Sequence, residues 1–440
     1  MRPTYSLGID FGTSGARAIA LDPQQQIEAE AKVSFNSAAS LAQQWQETLW
    51  MLLADIPVAV RQQLGAIALN GTSATVLLCD AAGQPITEPL LYNDDRGQSV
   101  QATVARITPP NHVASSATSS LSKLLWWCSD SQQLPAEAHY LMHQADWLSF
   151  LLHGQPGISD YHNALKLGYD VGALQYPNWL SSLPLATLLP QVVAPGHPVA
   201  TVLPAIAQRF GLPSSCHVCA GTTDSIAAFL ASGANQPGDA VTSLGSTLVL
   251  KLLSQKRVDA SQYGIYSHRL GDRWLVGGAS NTGGAVLAKF FSAEQLAQLS
   301  QSVQPDQPTR LDYYPLTKPG ERFPINDPQL SPRLTPRPPN PVLFLQGLLE
   351  GIANIEAQGY GRLTELGASP LKQVYTAGGG AHNQAWTAIR AQRLRVPVSV
   401  SAHTAAAYGS ALLALRSLST KNASCGPAAS LEKIKGQDNS

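Results

Sequence analysis

The chain carries no excess of charge of either sign. Its 29 Lys and Arg balance 29 Asp and Glu, and charged residues make up only 13% of 440. A protein that neutralises nucleic-acid phosphates needs a basic excess, and no local Lys/Arg run supplies one, so neither nucleic acid nor an anionic membrane surface is expected as a partner. Long apolar runs are missing too. No segment approaches the roughly 20 uninterrupted apolar residues that cross a bilayer. The opening MRPTYSLGIDFGTSG interrupts its apolar residues with Gly, Asp and Ser, which leaves no secretory core segment. The expectation is a soluble, cytoplasmic protein. Cysteine is scarce: Cys79, Cys128, Cys216, Cys219 and Cys425 are odd in number and scattered, which suits a reducing compartment better than a disulfide framework. Only Cys216 and Cys219 have a metal-like spacing. Without two further ligands at matching spacing they read as small hydrophobes on a strand. The ten histidines form no pair that would share a helix face, so a metal held by protein side chains alone is not expected. There is also no Walker A sequence and no GxGxxG after a strand, so any nucleotide site must be of another kind.

What is present is a 44% hydrophobic content over a length that fits two globular domains with proper cores. Tyr5, Leu7, Ile9 and Phe11 alternate with small or polar residues, the period of a strand. Thr13-Ser14-Gly15 then turns the chain into Ala16–Asp22, making a hairpin. Ala66–Leu69 and Ala74–Asp80 are the next strand candidates, which gives a β-meander with helices later. Ala240–Leu244, a Gly245-Ser246-Thr247 turn and Leu248–Leu252 repeat the hairpin about half the chain further on, as a duplicated domain would. The Pro-rich stretch 303–341 reads as an ordered surface excursion anchored by Leu311, Tyr313, Tyr314 and Phe323. Helices are expected over Phe344–Leu366, Asn383–Arg393 and Ala405–Leu415, and the tail from Thr420 to Ser440 should be disordered.

Three places could carry chemistry. Asp10 lies inside a strand pattern, where Asp is disfavoured, directly before a glycine turn. Either it faces a metal-bound phosphate cradled by the N–H groups of Gly12, Thr13, Ser14 and Gly15, or turn N–H groups simply satisfy it. Asp224 stands at a strand-to-helix junction. It, or Thr223, could cap the helix that runs to Ala231; the same junction also puts a side chain at the carboxyl edge of a sheet, where open α/β folds bind ligands. Gly378-Gly379-Gly380, between a strand and a helix, is either a plain loop or a close approach for a nucleotide.

Leu7–Arg17 resembles the first phosphate motif of the superfamily of sugar kinases, heat-shock chaperones and actin. Thr242–Thr247 resembles its second and Thr376–Asn383 its adenosine motif. Order and spacing match the FGGY family of carbohydrate kinases, and the likeness extends through Ala145–Leu148, Asp160–Asn163, Gly221–Asp224 and Val396–Ala411. Within that family, Asn70–Asp80, Pro89–Asp94 and Ala220–Gly233 are most similar to the cyanobacterial and plant xylulokinase-like kinases associated with D-ribulose. Two departures exist. Ala391-Gln392-Arg393 stands where many members have Ala-Asp, and the segment after Ser73 lacks the Gln-Met-His of typical xylulokinases.

The resemblance implies an α/β protein of two RNase H-like domains with an interdomain cleft. Residues 1–231 would bind sugar, 232–404 nucleotide, and a helix over 405–418 would pack back on the first domain. It implies ATP as co-substrate and Mg²⁺ at Asp10, through water, with Thr13, Ser14 and Gly15 at the transferring phosphoryl group. Gly245, Ser246 and Thr247 would face the nucleotide phosphates, and Gly378, Gly379 and Asn383, with Trp386 nearby, would hold adenosine. Asp224 would take the proton of the attacking hydroxyl while Asp10, Ser73, Asp224 and Ser225 position the sugar. Closure about Ser232-Gly233-Ala234 is expected when both ligands bind, and no obligate protein partner is evident. A heat-shock chaperone is disfavoured because no substrate-binding domain remains beyond about residue 418, and a silent sugar-binding paralogue because it would not need Asp224.

Overall fold

The computed structural model describes residues 4–35, 40–129 and 134–420; of the tail expected to be disordered, Thr420 ends a helix and residues 421–440 lie outside those described. Two six-stranded sheets organise the chain. Strands β1 (Tyr5–Phe11), β2 (Gly15–Leu21) and β3 (Ile27–Ser34) each run antiparallel to the next, and β4 (Leu64–Gly71) then lies parallel to β1. Short strands β5 (Val76–Cys79) and β6 (Tyr140–His143) pair with each other, as do β7 (Ile158–Asp160) and β8 (Gln191–Val193). Strands β9 (Pro198–Thr201) and β10 (His217–Thr223) complete the first sheet in the order β3-β2-β1-β4-β10-β9. The second sheet is built from β11 (Asp239–Leu244), β12 (Leu248–Ser254), β13 (Tyr266–Leu270), β14 (Arg273–Ser280), β15 (Gln373–Ala377) and β16 (Val398–Val400), in the order β13-β14-β12-β11-β15-β16. Each sheet has at its centre a strand, β1 or β11, with an antiparallel hairpin partner on one side and a parallel strand on the other. This is a mixed α/β architecture built on two sheets with the same central strand pattern, as expected for two related α/β domains.

The expected meander is corrected after β3. Helix Leu41–Asp55 intervenes, capped by Ser40 and burying Trp45, Leu49, Leu52 and Leu53 at helical spacing, and it carries the chain across so that β4 returns parallel to β1. Val76–Cys79 leaves the main sheet altogether to pair with Tyr140–His143. The helix expected from Phe344 begins earlier, at Pro341: Asn340 caps it through the Val342 N–H at 2.9 Å, and Pro at the first position loses no hydrogen bond there. In the Pro-rich stretch Tyr313, Tyr314 and Phe323 are buried in the second core, and Leu311 packs against it.

Two glycines set the geometry between the site-bearing elements. A Cβ on Gly8 would fall 2.0 Å from Ala407 O, and one on Gly409 would fall 1.8 Å from Ala227 O. Only glycine lets backbones meet this closely. The C-terminal helix Ala406–Thr420 is therefore wedged between β1 and helix Asp224–Ala231, and Asn70 on β4 pins it by donating to Ser410 Oγ at 2.8 Å. Among the described residues no helix is long and apolar enough to cross a membrane.

Candidate active site

Alternation along β1 sends Leu7, Ile9 and Phe11 into the first core and turns Asp10 to the opposite face, across from Arg17 on β2 and beside Asn70 on β4. Asp10 Oδ1 is buried and has no hydrogen-bond partner. Burial pushes the Asp10 carboxyl up to about 6, the nearby Asp224 charge adds to the rise, and Arg17 opposes it. The turn that follows is closed by the Gly12 N–H donating to Gly15 O at 3.0 Å, and it leaves Thr13 and Ser14 exposed.

Asp224 begins the helix that follows β10. Thr223 occupies the capping position, but its side chain makes no capping hydrogen bond and its buried Oγ1 has no partner. Asp224 Oδ1 instead accepts from the Ser225 N–H at 2.6 Å. Burial raises the Asp224 carboxyl, opposed by the Ser225 N–H and by the charges of Lys251 and Lys166. Asp10, Thr13, Arg17, Thr72, Asp224 and Ser225 line one cavity of about 410 Å³. Thr72, rather than the neighbouring Ser73, is the β4-turn residue in that wall, and Ser73 stands half-buried beside it. Thr72 Oγ1 is already bonded to Thr75 Oγ1 at 2.5 Å and to Gln144 Oε1 at 3.2 Å.

In the second lobe the Gly245-Ser246-Thr247 turn is fixed from below, because the Gly284 N–H donates to Gly245 O at 2.8 Å and the Ala285 N–H to Ser246 O at 3.1 Å. Gly378 leaves β15 with φ +87°, and a Cβ there would meet Leu244 O at 2.7 Å, so the glycine loop abuts the end of β11. Gly378 and Gly379 line a second cavity of about 520 Å³ with Glu30, His403 and Tyr408. Arg17, Thr404 and Ala405 belong to the walls of both cavities, so the cavity of the carboxylates and that of the glycine loop are neighbours across these residues.

Asn383 and Trp386 stand apart from both cavities. The Asn383 carboxamide is engaged at both ends, its oxygen capping a helix through the Trp386 N–H at 3.0 Å and its nitrogen donating to Ser300 Oγ at 2.8 Å. Trp386 is 2% exposed within the second core, so its ring offers no face to a ligand. Sequence reading also passed over Lys251, Lys166, Arg17 and Thr404. Lys251 carried a signal, since it interrupts the apolar run Leu248–Leu253 of β12. Cys216 and Cys219 are buried at β10, as small apolar residues would be.

Among the described residues no group of three or more His, Cys, Asp or Glu could hold a metal ion. The paired carboxylates and the orphaned Asp10 oxygen fit a divalent cation of another kind, one that keeps water and substrate phosphate as its remaining ligands, as Mg²⁺ does.

Residues 5–231 match the N-terminal domain of the FGGY family of carbohydrate kinases, and residues 240–418 match its C-terminal domain. An L-fuculokinase of Salmonella typhi is 24% identical across 91% of this chain and 89% of its own length. A xylulose kinase of Bacillus subtilis is 25% identical across 93% and 87%. The crystal structure of xylulose kinase from Rhodospirillum rubrum superposes with a TM-score of 0.78 at 21% identity, covering 95% of this chain and 90% of that one, and so shares its fold.

Proposed function

The chain belongs to the FGGY family of carbohydrate kinases and is an ATP-dependent sugar kinase, and within that family we propose that it phosphorylates D-ribulose at O5. The observation that carries the site reading is the pairing of Asp10 and Asp224 in one cavity that shares the wall residues Arg17 and Thr404 with the cavity lined by Gly378 and Gly379. In this reading residues 1–231 bind the sugar and 232–404 the nucleotide. Asp224 accepts the proton of the O5 hydroxyl as the bond from O5 to the γ-phosphorus forms and the bond to the β,γ-bridging oxygen breaks, releasing ADP. Phosphoryl transfer leaves the protein little covalent work, so positioning and charge stabilisation dominate. Asp10 would hold Mg²⁺, which neutralises charge on the β- and γ-phosphate oxygens when bound. Thr13, Ser14 and Gly15 present the turn to the γ-phosphate, Gly245, Ser246 and Thr247 face the nucleotide phosphates, and Gly378 and Gly379 take adenosine. Asn383 contributes by shaping the start of its helix, since its own amide is engaged. A cytoplasmic location, where ATP is available, belongs to the same reading.

For the substrate, the segment Asn70–Thr75 offers only small side chains and one amide, and that amide is held by Ser410. That segment contributes no long charged side chain against a five-carbon chain, and in this reading Asp224 in the cavity wall and Ser73 beside it bond the sugar hydroxyls. D-Xylulose is the second reading, favoured by the xylulose kinases among the relatives. The two ketoses differ only at C3, and a site built to bond one hydroxyl leaves buried groups unpaired with the epimer. Product identification and kcat/KM across D-ribulose, D-xylulose, L-fuculose and glycerol decide between them: D-ribulose should lead, and a clear excess for D-xylulose overturns the substrate assignment alone. In the same assay Asp224→Ala should lose about 10²–10⁴-fold in turnover while still binding ATP. Near-normal turnover of the folded variant would remove Asp224 from the chemistry.

A further inference from the structure

Lys251 lies on β12, the strand that leaves the Gly245–Thr247 turn, between buried Leu250 and Leu252. A lysine placed there must find acceptors, and it finds one on the other lobe: Nζ donates to Ser225 O at 2.5 Å. On the far side of the same residue the Ser225 N–H donates to Asp224 Oδ1 at 2.6 Å. Ser225 is thus gripped at both ends, its carbonyl by a cation from the nucleotide lobe and its N–H by the carboxylate. The Ser225 C=O and N–H belong to successive peptide units of the first turn of helix Asp224–Ala231, so the lysine anchors that turn on β12, and with it the N–H from which the carboxylate accepts. The other charges acting around Asp224 are Lys166 in the first lobe and Asp10 on β1. Neither is hydrogen-bonded to Ser225, whereas Lys251 is, and the Lys251 charge also acts on the Asp224 carboxylate.

We propose that Lys251 is a positioning residue for the reaction, joining the strand that leaves the phosphate-facing turn to the carboxylate that accepts the sugar proton. The inference rests on the reading of Asp224 as that base. It gives the two lobes a direct mechanical link at the reacting centre: seating of β12 against helix Asp224–Ala231 aims the Asp224 carboxylate, and displacement of the strand releases it.

The test compares wild type, K251M, K251R and D224N, each checked for folding by circular dichroism and thermal melting. Turnover is measured with ATP, Mg²⁺ and the ketopentose that the wild type prefers. K251M should lower kcat about 10–100-fold, the scale of a small misplacement of a reacting group, while the KM values for sugar and ATP stay within about twofold. K251R, which can still donate to Ser225 O, should recover most of the lost kcat. If K251M does not fold, K251Q is put through the same comparison. Wild-type kcat in K251M beside an inactive D224N refutes the role of Lys251 and leaves the base reading standing. Equal losses in K251M and K251R, with both KM values raised, make Lys251 a packing residue and also refute it. A D224N variant with near-normal turnover brings down the base reading and this inference together.

Discussion

Removing the charge of Arg390 should unfold the second lobe far more readily than its distance from the two cavities suggests. Arg390 is fully buried and makes a two-pronged pair with Glu356, Nε to Oε2 at 2.6 Å and Nη2 to Oε1 at 2.7 Å, while Nη1 donates to Thr376 Oγ1 at 2.7 Å. Glu356 also accepts from Thr242 Oγ1 at 2.5 Å, and Thr242 and Tyr360 share a further bond at 2.8 Å. The network ties β11, β15 and two helices into one unit. Burial works against the guanidinium charge, yet the Glu356 carboxylate keeps the Arg390 pKa above its ordinary value. Arg390→Met strands a buried carboxylate and should cost about 3–5 kcal/mol, as should Glu356→Met by stranding the cation. The double variant removes both charges but orphans Thr376 Oγ1 and takes from the Thr242 hydroxyl its Glu356 acceptor, about 1–3 kcal/mol for each buried hydroxyl left short of a partner. Its cost should therefore fall short of the sum of the singles. Urea unfolding followed by tryptophan fluorescence, to which Trp386 in the same core contributes, measures all three. A single-variant loss below about 1 kcal/mol, or a double-variant loss equal to the sum, would refute the idea that a desolvated pair holds this lobe.

Two further outcomes follow from the cavities. Gly378→Ala should raise the KM for ATP and lower the melting temperature, because φ +87° and a Cβ 2.7 Å from Leu244 O both resist a side chain; unchanged values for both would separate the glycine loop from nucleotide binding. Asp10→Asn should abolish turnover yet stabilise the metal-free protein at pH 7. The Asp10 pKa of about 6 lies above its ordinary 3.8, so the folded state binds the extra proton and stability falls as pH rises across that window. The gain of the variant over wild type, measured as melting temperature in EDTA, should be small near pH 4 and grow to its full size above pH 6. A difference that does not change with pH would contradict the assignment.

The hairpins, the carboxylates and the glycine loop were legible because each is a local misfit: an acid inside a strand, an acid at a helix start, three glycines between regular elements. Gly367 marks the end of the long helix, but its start at Asn340-Pro341 precedes the expected Phe344, and helices such as Leu41–Asp55 and Gln144–His153 were not anticipated. What could not be read was pairing across distance. Nothing in Val76–Cys79 says that its partner is Tyr140–His143 rather than β4, and the return of β4 beside β1 depends on a helix whose apolar face becomes decisive only once a sheet is there to cover. Asn383 shows the opposite failure, a residue whose chemistry was visible and whose use was not: the same carboxamide can meet a ligand or cap a helix, and the Trp386 N–H and Ser300 hydroxyl had already taken both ends. Lys251 is the most instructive case. A lysine in an apolar strand announces that an acceptor must exist, because leaving the ammonium unpaired there would cost more than the strand gains by packing. The sequence contains that requirement at Lys251 and the carboxylate at Asp224, and only the docking of one lobe on the other brings Ser225 between them.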